Sequence, residues 1–246
     1  MKQVKTVAVA CLLFTGAPVW GGVTLVFEGE PEQMVMVLDG NKMRVEQTSE
    51  HGNPTSTMIF DGDKDKVIGL DPMKRTYFEC RVADMSARAK SQMERFTSKM
   101  TEEQRKAMEE QLRSPPNMKW EPTGKTQKVA GFSCEWFREV LPKGGTLAHV
   151  CFIPWSPSVV TQADTAPMRK MEQFLSRAEW PITGADIHAI YAKFTDSPGL
   201  PAITEYRSPA GKVDYKLALS RLERGSVAPE KFQPPAGYTR SEIPSN

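Results

Sequence analysis

Two turn clusters, Asp39-Gly40-Asn41 and Asp61-Gly62-Asp63-Lys64-Asp65, constrain what this chain can fold into more than any other feature. Gly, Asn and Asp tolerate the positive φ of tight turns, and each cluster is flanked by alternating or β-branched residues. The runs VTLVFEG, QMVMVLDGNKMRVEQ, TSTMIFDGDKDKVIGLDP and KRTYFEC, from Val23 to Cys80, therefore read as a meander. Consecutive hairpins of this kind make an antiparallel sheet.

The period then changes. Met85, Ala89, Met93, Phe96 and Met100 recur at spacings of four, four, three and four, which on a helix places them within an arc of about 80°. Thr101-Glu102-Glu103-Gln104 has the form of a capping box, so a break is expected there, followed by a second helix carrying Met108 and Leu112. Glu102 with Lys106 and Glu109 with Arg113 have the favourable i, i+4 orientation. A helical pair with one thin apolar face is expected to lie across the sheet. After the proline-rich connector SPPNMKWEPTG, strands resume at KTQKVAGFSCEWFREVL and return as TLAHVCFIPW. A second helical insertion comes next, with Met168, Met171, Phe174 and Leu175 as its buried face, and a last hairpin turns around SPAGK. The insertions are placed at about residues 84–113 and 160–193, within a single domain spanning residues 22–246.

At the N-terminus, Lys2 and Lys5 precede an apolar run from Val7 to Phe14 and then small and turn-forming residues. This is the pattern of a cleaved secretory signal peptide, residues 1–21, with Val19 and Gly21 where signal peptidase takes small side chains. Thr15, Gly16 and Pro18 break the run well short of the ~20 apolar residues of a membrane-crossing helix. Cys11 comes after small residues as in a lipoprotein signal, but the apolar run continues past it. The expected location is the periplasm, with no span in the membrane.

That compartment bears on the cysteines, since an oxidising environment favours pairing of thiols within reach. If Pro142-Lys143-Gly144-Gly145 is a four-residue loop, Cys134 falls opposite Ile153 and Cys151 opposite Trp136. Cys134 and Cys151 are then diagonal neighbours on one face, and a bulge or strand twist must help them meet. Their pairing is the expected disulfide, and Cys80 is the competing partner for either one.

The chain has 32 basic and 30 acidic residues, and the leader carries two of the bases and no acid. The remainder, residues 22–246, is formally neutral and has no Lys/Arg block of the density that nucleic-acid binding requires. Gly124-Lys125-Thr126 resembles the end of a phosphate loop, but Lys119 stands where its first glycine belongs. In the calcium-loop reading of Asp61, Asp63 and Asp65, Lys66 replaces the glycine and Pro72 the bidentate glutamate. A solvated hairpin turn is the reading kept. His51, His149 and His188 have no neighbours at zinc-ligand spacing, the serine of GFSC lacks the glycine of a nucleophile elbow, and there is no C-x-x-C. The chain is read as a non-enzyme with neither metal nor cofactor.

Methionine is the unusual component, thirteen in all, with Met34 and Met36 on one strand. Three readings stay open: packing of irregular core space, an adaptable apolar groove, and thioether ligation of a soft metal.

Several segments together, MIFDGDKDKVIGLDPMKRTYFE, KVAGFSCEWF, GLPAITEYRSPAGKV and KFQPPAGY, resemble the domain-of-unknown-function family DUF4412, grouped with the lipoprotein carrier LolA and the receptor LolB. The resemblance implies an α+β fold: a half-open antiparallel β-barrel, LolA-like, with helices covering its concave face and an apolar cavity between. It also implies a ligand-binding lid built from Met85, Ala89, Met93, Phe96 and Met100. Arg44 in KMRVE takes the place of the carriers' lid-holding arginine, although Val45 stands where they have proline. The functional expectation is a periplasmic binding protein carrying or sensing a lipid or acylated protein. The alternative is an envelope protein-interaction or assembly module without a lipid ligand.

Overall fold

The computed structural model describes residues 21–29, 32–49, 52–98, 100–104, 119–140, 146–177, 197–207 and 211–243. The six meander strands are β1 (Gly22–Gly29), β2 (Gln33–Asp39), β3 (Lys42–Thr48), β4 (Pro54–Asp61), β5 (Lys66–Asp71) and β6 (Thr76–Arg81). The later strands are β7 (Lys119–Val129), β8 (Phe132–Val140), β9 (Thr146–Pro154), β10 (Gly199–Arg207), β11 (Val213–Gly225) and β12 (Thr239–Arg240). All twelve belong to one sheet in the order β12-β6-β5-β4-β3-β2-β1-β11-β10-β9-β8-β7. Every pairing is antiparallel except β12 on β6. The long strand β11 joins the two halves, pairing with β10 along its first part and with β1 along the rest.

The predicted turns form where the residues allow them. Gly40 sits at φ +57° and Asp65 at φ +52°. The Asp61 carboxylate accepts hydrogen bonds from the backbone N–H groups of Asp63 and Lys64, so this acidic cluster is spent on closing its own turn. Between β7 and β8, Ala130 and Gly131 both have positive φ, at +48° and +85°, as a two-residue hairpin that matches the strand twist requires.

The helix-covered LolA-like half-barrel is not what the chain forms. Among the described residues there are two long α-helices, α1 (Val82–Thr97) and α2 (Ala166–Arg177), helical residues at 102–104 and one 3-10 turn (Pro229–Phe232) beside the twelve strands. The sheet is open and holds about half of the described residues. A core-facing helix needs an apolar stripe about 100° wide or more, and the stripe of residues 85–100 is narrower. α1 continues directly from β6, whereas α2 lies over β3 and β4.

The predicted break after α1 occurs. Thr101 N–H donates to the Gln104 amide oxygen and Gln104 N–H to the Thr101 hydroxyl. Residues 102–104 are helical, while Lys106, Met108, Glu109, Leu112 and Arg113 lie outside the described residues. Of the second insertion, placed at residues 160–193, the described part contains α2, and residues 178–196 lie outside the described residues. The supposed connector before β8 is partly strand: β7 begins at Lys119 and includes Pro122. Proline is tolerated there because β7 is the sheet's edge.

Candidate functional site

Period-two alternation divides the meander into two apolar faces. Met34, Met36 and Leu38 of β2 align by register with Met43 and Val45 of β3 and with Met58 and Phe60 of β4. Val67 and Cys80 extend the same core across β5 and β6. From α2, Met168 and Met171 pack into it. Met34, Met36, Met43, Met168 and Met171 are 0–6% exposed, so these thioethers fill a core and line no open wall. Gly69 makes room for the Phe78 ring, whose nearest atom would stand 2.3 Å from a Cβ at that position.

The approach to α2 is held from the sheet. The Asp164 carboxylate accepts from Arg224 Nη2 at 2.6 Å and from the Thr161 backbone N–H and hydroxyl at 2.7 Å each, and Arg224 Nε donates to the Val159 carbonyl at 2.6 Å. Burial acts to raise the Asp164 pKa, but the hydrogen bonds from Thr161 and Arg224 outweigh it and hold the carboxyl below its usual range.

The opposite face carries Val37, Ile59, Ile68 and Leu70, sealed by Phe232 of the 3-10 turn, with Tyr77, Val227 and Tyr238 at the margin. This explains the motif KFQPPAGY. Phe232 is the plug, Gly237 takes φ +82° with the Arg75 guanidinium against it, and β12 then adds to the β6 edge. Arg44 is on this face, opposite Val37 and Ile59. Its guanidinium pairs with Glu46 and donates to the Lys231 carbonyl at 3.0 Å. It holds the C-terminal strap, on the side of the sheet away from the Met face. The side chains of the expected lid residues Met85, Ala89, Met93 and Phe96 lie outside the described residues; Met100, just beyond α1, is half-buried.

In the β7–β10 half the expected disulfide is present. Cys134 and Cys151 are bonded with a Cα–Cα distance of 5.4 Å, and Cys151 faces Trp136 as the hairpin register predicts. Both belong to the main core. Cys80 is a buried thiol on β6, its Sγ 3.9 Å from the Val67 carbonyl. On the other side of β9, Ala148, Val150 and Phe152 form a separate cluster with Trp120, Phe137 and Tyr206. Trp120 and Phe137 meet the Phe152 ring edge-on, at 4.8 and 5.6 Å between centroids.

The same strands bring together charged groups that are scattered in the sequence. Direct cross-strand pairs align Glu121 (β7), Arg138 (β8), His149 (β9), Glu205 (β10) and Lys216 (β11) in one row on one face. Glu121 pairs with Arg138 at 3.0 Å, and Glu205 with Arg207 at 2.5 Å and Lys216 at 3.6 Å. His149 is half-buried. Burial is the main cause holding its pKa below the usual value, aided by Arg207, Arg138 and Lys125 and opposed by Glu205. Sequence reading missed this row because its members are 17, 11, 56 and 11 residues apart. Arg224 with Asp164 was missed too, although Thr161-Gln162-Ala163-Asp164 has the same box-like spacing as Thr101–Gln104.

Among the described residues no group of three or more His, Cys, Asp or Glu side chains could hold a metal ion, and no helix is long and apolar enough to cross a membrane. The geometry defines an open antiparallel-sheet protein with packed faces, a disulfide-stapled half and a charged row. No family model and no curated protein matches the chain. Among solved structures it is similar to an uncharacterized conserved protein from Thermus thermophilus, at 6% identity over 92% of both chains and a TM-score of 0.45. It is also similar to MucB, at 11% identity and a TM-score of 0.40, and to MucB in complex with MucA(peri), at a TM-score of 0.37. The chain spans 58% and 54% of those two MucB chains. These TM-scores are too low to carry a fold or a function across.

Proposed function

We propose that this chain is an exported, non-enzymatic interaction module that docks a protein partner on its surface, and that its Met-rich face is structural core. One observation carries the reading: α2 closes the Met face with Met168 and Met171, leaving Met34, Met36 and Met43 of that face almost fully buried. An acyl chain would have to displace this packing, and interiors packed to crystal-like density do not yield that volume without cost. The leader-like N-terminus and the Cys134–Cys151 disulfide both support an oxidising compartment. The charged row offers polar groups to a partner that the buried faces do not.

The test combines native mass spectrometry with cross-linking in intact cells. Protein recovered from the exported fraction is expected at the mass of the polypeptide with one disulfide, with no acyl species after solvent extraction. Photo-reactive residues on exposed strand positions are expected to give one discrete protein adduct. Stoichiometric lipid with no adduct would overturn the reading in favour of an acyl carrier.

A further inference from the structure

The row from β7 to β11 is more than a set of stabilising pairs. Five residues on five adjacent strands lie in direct register, Glu121, Arg138, His149, Glu205 and Lys216. At about 4.8 Å between strands the row is about 19 Å long. Arg207 stands two residues beyond Glu205 on the same face of β10, and Lys125 acts on His149 from β7. Three cations, Arg207, Arg138 and Lys125, thus act on one imidazole, Lys216 adds a fourth at the end of the row, and two carboxylates stand against them. Both carboxylates are already engaged, Glu121 by Arg138 and Glu205 by Arg207 and Lys216. Arg207 also donates from Nη1 to the Gly211 carbonyl at 3.2 Å, yet Arg138, Arg207 and Lys216 remain 38–51% exposed, and a guanidinium has five N–H donors, so each arginine keeps N–H groups for a further acceptor.

We infer that this row is the docking surface for an extended protein segment bearing carboxylates, which lies across β8 to β10 and pairs with Arg138 and Arg207. The inference rests on the protein-docking reading above and names where the partner sits. Arg138 and Arg207 are on strands two apart, about 10 Å across the sheet. Acidic residues about three apart in an extended chain have that separation. The interspersed Glu121 and Glu205 select against a uniformly anionic surface such as a lipid headgroup layer, because each would repel it. They suit a polypeptide, which can place a neutral or basic residue opposite each of them. His149 reports occupancy, since besides its burial the cations Arg207, Arg138 and Lys125 lower its pKa, and a carboxylate arriving beside it offsets that repulsion.

The experiment uses the full exported chain with its disulfide intact. A fluorescent extended peptide with two glutamates three residues apart is titrated by anisotropy, beside its glutamine counterpart and vesicles rich in phosphatidylglycerol. The glutamate peptide is expected to bind, more weakly as salt rises, and to raise the His149 imidazole pKa followed by NMR. Arg138→Gln with Arg207→Gln is expected to weaken binding at least tenfold. Arg138→Gln alone, which removes one exposed ion pair and leaves the sheet pairing, is expected to weaken it severalfold at unchanged melting temperature. Equal affinity for the glutamine peptide, preference for the vesicles, or unchanged affinity in both variants would overturn the docking surface. If in-cell adducts then still form, at positions away from the row, the protein-docking reading survives without this site. Lipid recovered in their place sinks that reading itself.

Discussion

The two halves of the sheet solve the problem of a second face differently. In the β1–β6 half both faces are covered by the chain itself, α2 on the Met side and the Phe232 strap on the other. The β7–β10 half has one face in the main core and a separate aromatic cluster on the other, and it ends in the edge strand β7. Lys119, Pro122, Lys125, Lys128 and a register break between Pro122 and Thr126 blunt that edge against pairing with another chain. Where packing elements are present on both sides, noncovalent burial suffices. Where, among the described residues, they are not, the chain has a covalent staple across β8 and β9. The half with fewer covering elements among the described residues is also the one that carries the charged row.

Removing the Phe232 ring tests the first half most severely. Phe232→Ala is expected to cost about 3–5 kcal/mol, as for other buried aromatic truncations, and hydrogen exchange should show protection lost in β3–β6 and retained in β8 and β9. Equal loss in both halves would break the comparison. Replacing Cys134 and Cys151 together by serine removes a link between residues 17 apart, expected to cost about 3 kcal/mol. Its exchange pattern should be the reverse, with β8 and β9 loosened first.

Arg224→Met should cost about 2 kcal/mol by removing charge-assisted hydrogen bonds to Asp164 and Val159. Because the Asp164 pKa is lowered in the folded state, its contribution is present above the unfolded carboxylate pKa and is lost as pH falls through the folded value. Wild-type unfolding should therefore show an acid-side loss of stability that Asp164→Asn lacks. The smallest effect belongs to the charged row. His149 also has a lowered folded-state pKa, so the unfolded chain binds its proton more readily. Stability should decline as pH falls below about 6.5, and His149→Gln should flatten that part of the profile. A His149 titration at or above the ordinary value would show that the surrounding cations do not act on it.

Much of the local structure was legible in advance. Gly40, the Asp61–Asp65 turn, the capping box at Thr101 and the diagonal placement of Cys134 and Cys151 all derive from residue chemistry within a few positions or one hairpin. The alternation of β2 likewise separates Met34, Met36 and Leu38 from Val35 and Val37. Alternation says that a strand has two faces, however, and not which element will cover either one. For that reason Arg44, given a lid-holding role only by the resemblance to the carriers, is found holding the C-terminal strap. The helix-covered half-barrel likewise gave way to an open twelve-stranded sheet.

The amino-acid sequence by itself determined the hairpins, the register of β8 on β9 around Cys151 and the oxidised staple, because these depend on backbone conformations and contacts between near neighbours. Only the tertiary structure decided that α2 fills the Met face, that Asp164 meets Arg224 from 60 residues away, and that five charged residues on five strands form one row. Those depend on how β11 joins the two halves, a pairing between distant segments whose free energy is shared over many side chains and written in no single motif.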